Sequence, residues 1–179
     1  MRYVTFDFNG RPLPLRLTAG ALFALYDLYG VHDDILRAAR AMEDTEDGWA
    51  ACCELAALLA GQGELWSRRQ GHDHTSTPGA LSLMGCNRPR LRYAVLEAVK
   101  RGFSRAVPTV EDAGEVNLVL AARNDESAES ADRIRTGYLT VCPARLHLAP
   151  ADALLLTPGE YLDMVALLTG AGEEDADGR

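Results

Sequence analysis

Residues 3–17 read YVTFDFNGRPLPLRL, and this stretch decides how the chain begins to fold. Apolar residues recur at every second position on both sides of Asn9-Gly10, as expected for two strands that each bury one face. Asn-Gly is typical of a two-residue hairpin turn, because both turn residues take positive φ. Pro12 and Pro14 lack an N–H, so the second strand is predicted to lie at an edge. A lone hairpin is marginal in water, and we expect it to pack on helices or to pair with another subunit.

Beyond the hairpin the apolar residues follow a helical period. Thr18 is predicted to cap a helix that runs to Tyr29. A helix is predicted after His32 and another at about 46–60, with Gly61 and Gly63 as its end. The stretch 64–78 is predicted to be irregular with one short helical turn around Trp66, and a helix is predicted to follow Thr77-Pro78. Further helices are predicted at 87–103, from Glu115 to Arg123, and at about 132–142, 151–156 and 158–169. Thr157 and Glu160 have the spacing of a capping box before the last of these. The predicted fold is mainly α, with an N-terminal β-hairpin packed on a bundle of about five to seven short helices.

Composition changes along the chain predict its organisation. Residues 1–123 are expected to form a β-hairpin plus helical domain. Residues 124–132, NDESAESAD, are acidic and serine-rich without apolar anchors, so we predict a flexible linker there. A small C-terminal helical segment is expected at 133–170, followed by a disordered acidic tail at 171–179.

The overall composition limits the class of protein. The chain has 179 residues, with 47% hydrophobic and 25% charged residues, the balance of an ordinary globular domain. The formal net charge is -8, and because nucleic-acid binding depends on clustered cations, DNA or RNA is not expected as the main partner. No signal-peptide pattern and no stretch of 18 apolar residues is present, so neither secretion nor a membrane partner is expected. The four cysteines form no CxxC pair and are interpreted as reduced thiols in the cytoplasm.

Two groups of residues contain side chains that could bind a metal or act as a nucleophile, but neither matches a known metal-binding or catalytic motif. His72 and His74 lie two residues apart in a polar loop, and Cys86 is a conceivable third metal ligand; a solvated loop is the favoured interpretation. Cys142 lies near His147, but a cysteine nucleophile needs a positioned base, and no known local signature surrounds either residue. We therefore predict no catalytic residue, no cofactor and no bound metal.

Aromatic and basic residues are the better candidates for contacts with a partner. Trp49 is expected in the core, whereas Trp66, next to Arg68 and Arg69 in a polar context, is the better candidate for an exposed contact residue. A second basic run, Arg88/Arg90/Arg92, is expected to be a solvated face, with a docking patch for an acidic partner as the alternative.

The C-terminal stretch DALLLTPGEYLDMVALL, residues 152–168, resembles a signature near the end of tail assembly chaperones of long-tailed bacteriophages and related prophages. Three further segments line up in the same order: the hairpin with LRLTAGALFALYDLYG, the central helix RLRYAVLEAVKRGF at 90–103, and EVNLVLAARND. Together these segments cover about half of the chain. The insert at 43–60 and the histidine loop depart from the family pattern.

The resemblance implies a mainly helical, non-catalytic protein of the host cytoplasm. It implies the tape-measure protein and the tail-tube protein as partners, and a homo-oligomer is a further expectation. We predict the following partner-binding residues: Trp66, Arg68, Arg69, Tyr161, Leu162 and Val165. Two other classes remain open at this stage, a helical phage structural adaptor of the head–tail connector type and a small metal- or thiol-dependent enzyme.

Overall fold

The computed structural model describes residues 2–29, 38, 40–73, 76–107 and 131–168. Within those ranges the chain forms one two-stranded sheet and seven helices. The elements are β1 (Val4–Phe8), β2 (Arg11–Leu15), α1 (Ala19–Tyr29), α2 (Glu46–Arg69), α3 (Ala80–Leu83), α4 (Arg88–Phe103), α5 (Ala131–Leu146), α6 (Pro150–Ala153) and α7 (Pro158–Leu168). The predicted fold class, a helical protein with an N-terminal hairpin, is confirmed.

The hairpin forms where the alternation predicts it. β1 and β2 pair antiparallel, with Phe8 opposite Arg11 next to the turn. Asn9 and Gly10 have φ values of 53° and 79°, as a two-residue turn requires. Asp7 Oδ1 accepts a hydrogen bond of 2.7 Å from the Gly10 N–H and so fixes the turn further. The core-facing residues of the sheet pack on α2 and α4.

The predicted end of the third helix is wrong. The sequence places a stop at Gly61 and Gly63 and an irregular stretch from residue 64, but α2 continues to Arg69. Gly63 does not break the helix, because it provides space for β2: a Cβ on Gly63 would lie only 1.9 Å from the carbonyl oxygen of Pro14. Packing of helix against strand therefore overrides the low helix propensity of glycine. Trp66 consequently lies in the last turns of a long helix and not in a short isolated turn.

Two apolar clusters form the core. The larger one joins the hairpin, α2, α3 and α4, and it contains Trp49, whose indole N–H donates to the Met84 carbonyl at 3.2 Å. The predicted core position of Trp49 is thus confirmed, at 1% exposure. The smaller cluster joins α1, α5 and α6. Helix α1 contributes to both, with Leu25 in the larger cluster and Leu22 in the smaller one.

Local capping signals operate as predicted. Thr18 Oγ1 accepts from the Ala21 N–H at 3.1 Å at the start of α1. Before α7, the Thr157 N–H donates to Glu160 Oε2 at 2.8 Å and the Glu160 N–H donates to Thr157 Oγ1 at 3.2 Å, which completes the capping box. Helix α5 is longer than predicted and extends through Pro143 to Leu146.

Several predicted segments lie outside the described residues. They are most of the helix after His32, the segment Glu115–Arg123, the linker up to residue 130, and the tail at 171–179. Among the helices of the described ranges, none combines the length and the apolar character needed to cross a membrane.

Candidate functional site

An open groove of about 790 Å³ lies between α1, the C-terminal half of α2, α5 and α6. We call it the α1/α5 groove. Its apolar walls consist of Phe23, Ala24, Leu65, Leu139, Leu154 and Leu155. Leu65 is 47% exposed although its surroundings are apolar. An open groove of this kind is typical of a surface that receives an apolar partner.

Backbone hydrogen bonds hold one wall of the groove against the start of α1. The first amides of a helix have no partner within the helix itself. Here the Ala19 N–H donates to the Leu156 carbonyl at 2.7 Å, and the Gly20 N–H donates to the Leu154 carbonyl at 2.9 Å. The segment after α6 therefore caps α1 and is fixed in place by it.

Aromatic side chains support the floor of the groove. The rings of Phe23 and Tyr138 meet edge to face with centroids 5.4 Å apart, and the ring centroids of Tyr138 and Tyr161 are 4.6 Å apart. Tyr138 Oη donates a hydrogen bond of 2.6 Å to the buried Ala153 carbonyl. Burial raises the pKa of Tyr138 far above its ordinary value, so this hydroxyl keeps its proton and remains a donor. These contacts join α5, α6 and α7 to α1.

Two ion pairs border the groove. Arg69 binds Asp152 through two hydrogen bonds of 2.6 and 2.8 Å, and this pairing raises the pKa of Arg69. Arg135 binds Asp27 at 2.6 Å, and its guanidinium lies 5.5 Å from the centre of the Phe23 ring. Each pair has one well-exposed member, Arg69 at 64% and Asp27 at 54%, so the two pairs contribute little to folding.

The predicted partner-binding residues fall into separate regions. Arg68 and Arg69 line the α1/α5 groove. Trp66 is half-buried and lies against Tyr3, at 5.1 Å between ring centroids, and against Arg16, at 4.8 Å. Trp66 therefore serves the attachment of the N-terminus to α2.

The three residues predicted on α7, Tyr161, Leu162 and Val165, are half-buried. Tyr161 supports Tyr138, as described above, while Leu162 and Val165 lie on the same helix outside the groove lining. The apolar wall residues of the groove were missed by the sequence analysis, because they come from four elements and form no local motif.

Helix α7 is anchored by a buried carboxylate. Asp163 accepts hydrogen bonds from the N–H groups of Ala106, at 2.9 Å, and Val107, at 3.1 Å, and it forms an ion pair with Arg2. Burial alone would raise the pKa of Asp163, but the hydrogen bonds from Ala106, Arg2 and Val107 outweigh it and lower this pKa below its ordinary value. Asp163 thus joins α7 to the segment after α4 and to the N-terminus.

The thiols have the properties of core residues. Burial raises the pKa of Cys52 to about 12 and that of Cys53 to about 11. Burial also raises the pKa of Cys86 and Cys142. Because the thiolate is the nucleophilic form, these thiols are poorly reactive at neutral pH.

The histidine loop is described only in part. His72 lies just after α2, and His74 is outside the described residues. Within the ranges that the structure describes, no three His, Cys, Asp or Glu side chains converge in a way that would hold a metal ion.

The chain matches no protein-family model, no curated protein sequence and no solved structure.

Proposed function

We propose that this chain is a non-catalytic phage tail assembly chaperone that binds apolar helical segments of the tape-measure protein and recruits tail-tube subunits. The proposal joins two independent lines of support. One is the resemblance of residues 152–168 and of three earlier segments to that family. The other is the α1/α5 groove, an open apolar surface with charged borders.

The groove is the observation that carries the proposal. An amphipathic helix binds by laying its apolar face into such a groove, with side chains at i, i+3, i+4 and i+7 as anchors. The walls of the groove offer leucine and phenylalanine side chains, and Leu65 is left nearly half exposed. A partner helix would cover these side chains and remove their apolar surface from water.

The borders of the groove suit a helix with a polar outer face. Arg69–Asp152 and Arg135–Asp27 place charges of both signs along the opening, and Arg68 adds a further cation. Mixed borders of this kind fix the orientation of a partner more than they raise its affinity.

Co-expression with a phage tape-measure protein tests the proposal. The soluble fraction of the tape-measure protein is measured by centrifugation and quantitative gel analysis. We expect the unaltered chain to keep most of it soluble, and Leu65→Glu to abolish most of that effect. Leu81→Glu is the matched control, because Leu81 is 85% exposed and lies on α3 outside the groove.

Two results would contradict the proposal. One is an insoluble tape-measure protein in the presence of the unaltered chain. The other is equal protection by Leu65→Glu and Leu81→Glu, with circular dichroism showing both variants folded. Mass spectrometry of mature virions adds a second test, since an assembly chaperone is expected to be absent and a structural adaptor to be present.

A further inference from the structure

The outer edge of β1, the side of the strand that faces away from β2, is a second surface that could bind a partner. In an antiparallel hairpin, opposite residues alternate between pairs that exchange backbone hydrogen bonds and pairs that do not. Next to a two-residue turn the first pair, Phe8 with Arg11, exchanges them. Thr5 and Asp7 then fall at the intervening positions, so their N–H and C=O groups point away from β2.

The two edges of this sheet differ in what they offer. On β2 the corresponding positions are Pro12 and Pro14, which have no N–H. That edge is also covered, because α2 packs Gly63 against the Pro14 carbonyl and the Leu59 carbonyl accepts from the Arg16 N–H at 3.1 Å. β2 therefore cannot receive another strand.

The β1 edge retains its donors. Thr5 and Asp7 are both exposed, and among the described residues nothing hydrogen-bonds to the backbone amide of either one. An exposed strand edge with unpaired amides is a template for pairing with another strand.

We propose that β1 pairs with β1 of a second copy of this chain, antiparallel about a two-fold axis through Phe6, to form a continuous four-stranded sheet. In this register Thr5 of each copy lies opposite Asp7 of the other, so the outward amides and carbonyls are satisfied at both places. The hydroxyl of Thr5 lies within reach of the opposite Asp7 carboxylate, a favourable cross-strand pair. Phe6, on the core face, lies next to its own copy on the axis.

The charges of β1 favour this register over its neighbours. Shifting the pairing toward the turn puts Asp7 opposite Asp7, where like charges repel. Shifting it the other way puts Thr5 opposite Thr5 and brings Tyr3 into the pairing, although the Tyr3 carbonyl already accepts from Arg101 Nη1 at 3.0 Å. Only the central register pairs Thr5 with Asp7 twice. The inference does not depend on the chaperone proposal, because it uses neither the α1/α5 groove nor any tail protein.

Sedimentation equilibrium of the full chain at several protein concentrations tests the dimer. We expect a reversible monomer–dimer equilibrium for the unaltered protein. Thr5→Asp places like charges opposite each other at two symmetric positions and should weaken the dimer about tenfold. Thr5→Lys places opposite charges there and should strengthen it by a similar factor. Thr5→Ser keeps both the amide and the hydroxyl and serves as the control, with a dissociation constant close to that of the unaltered chain.

A backbone test complements the charge test. Thr5→Pro removes the outward N–H without removing a hydrogen bond of the hairpin, so the variant should be monomeric. In the unaltered protein, hydrogen exchange at the amides of Thr5 and Asp7 should slow as the protein concentration rises. A protein that stays monomeric at every concentration, or a dimer that neither Thr5→Asp nor Thr5→Pro weakens, would overturn the proposal. Weakening by Thr5→Lys would overturn the register.

Discussion

Arg16 Nη2 donates a hydrogen bond of 2.6 Å to Glu160 Oε2, which joins residues 144 positions apart in the sequence. The same carboxylate oxygen accepts from the Thr157 N–H in the capping box of α7. Arg16 is only 3% exposed, so its charge depends on this partner. One glutamate thus caps the last helix and neutralises a buried cation beside the hairpin.

Because Glu160 has both roles, a conservative substitution of this residue is expected to lower the stability of the protein markedly. Glu160→Gln keeps an oxygen for the cap but removes the charge that Arg16 faces, and we expect a loss of about 2 kcal/mol in the free energy of unfolding. Urea denaturation followed by circular dichroism measures it. The control is Glu97→Gln, since Glu97 pairs at 2.9 Å with the more exposed Arg101 and should cost no more than about 0.5 kcal/mol. Equal losses for the two variants would contradict a special role for the Arg16–Glu160 pair.

Two glycines of α2 are expected to respond in opposite ways to the same substitution. Gly63→Ala forces a methyl group against the Pro14 carbonyl and should destabilise the protein by at least about 2 kcal/mol. Gly61→Ala meets no atom within 4 Å and should stabilise it by about 0.5 to 1 kcal/mol through helix propensity. Thermal and urea denaturation of both variants check this. A neutral Gly63→Ala would show that the contact between helix and strand is looser than the structure has it.

Asp163 predicts how stability depends on acid. Its pKa is lower in the folded chain than its ordinary value of 3.8, so the unfolded state binds the proton more readily. The stabilisation from Asp163 is therefore complete above about pH 5 and is lost as the pH falls through the lower folded pKa.

The matching experiment compares the unaltered chain with Asp163→Asn. Urea denaturation between about pH 2 and pH 5 should show a shallower pH dependence in the variant. Asp152→Asn, on the border of the α1/α5 groove, is the control and should retain the steeper dependence. Identical slopes for the unaltered chain and Asp163→Asn would refute the assignment.

The buried thiols are expected to lose their protons only at high pH and to react slowly with alkylating reagents. With pKa values raised to about 12 and about 11, Cys52 and Cys53 hold almost no thiolate at pH 8. Alkylation by iodoacetamide, located by mass spectrometry, should label the half-buried Cys86 first. Cys52 and Cys53 should become labelled only under unfolding conditions. Fast labelling of either one in the native protein would contradict this prediction and support the thiol-dependent enzyme as the alternative.

The parts of the fold that follow local rules could be predicted from the sequence. Asn9-Gly10 specifies its own turn, and Thr157 with Glu160 specifies its own cap, because both signals act within four residues. The continuation of α2 past Gly63 could not be predicted in this way. It depends on Pro14, which lies far away in the sequence and becomes a neighbour only through the fold.

The same distinction applies to the candidate site. Arg68 and Arg69 could be proposed from their charge, and both lie on the α1/α5 groove. The apolar walls gave no sequence signal, since Phe23, Leu65 and Leu154 lie on distant parts of the chain and form no local motif. Trp66 appeared suited to a partner in its polar context, but Tyr3 and Arg16 occupy part of its ring.

Helix α1 belongs to both apolar clusters, with Leu25 facing one and Leu22 facing the other. A chain truncated before α5 would expose the Leu22 side of that helix to solvent, together with Phe23 and Tyr26. We expect such a truncated chain to aggregate more readily than the chain that retains α5, because this apolar surface would be left in contact with water.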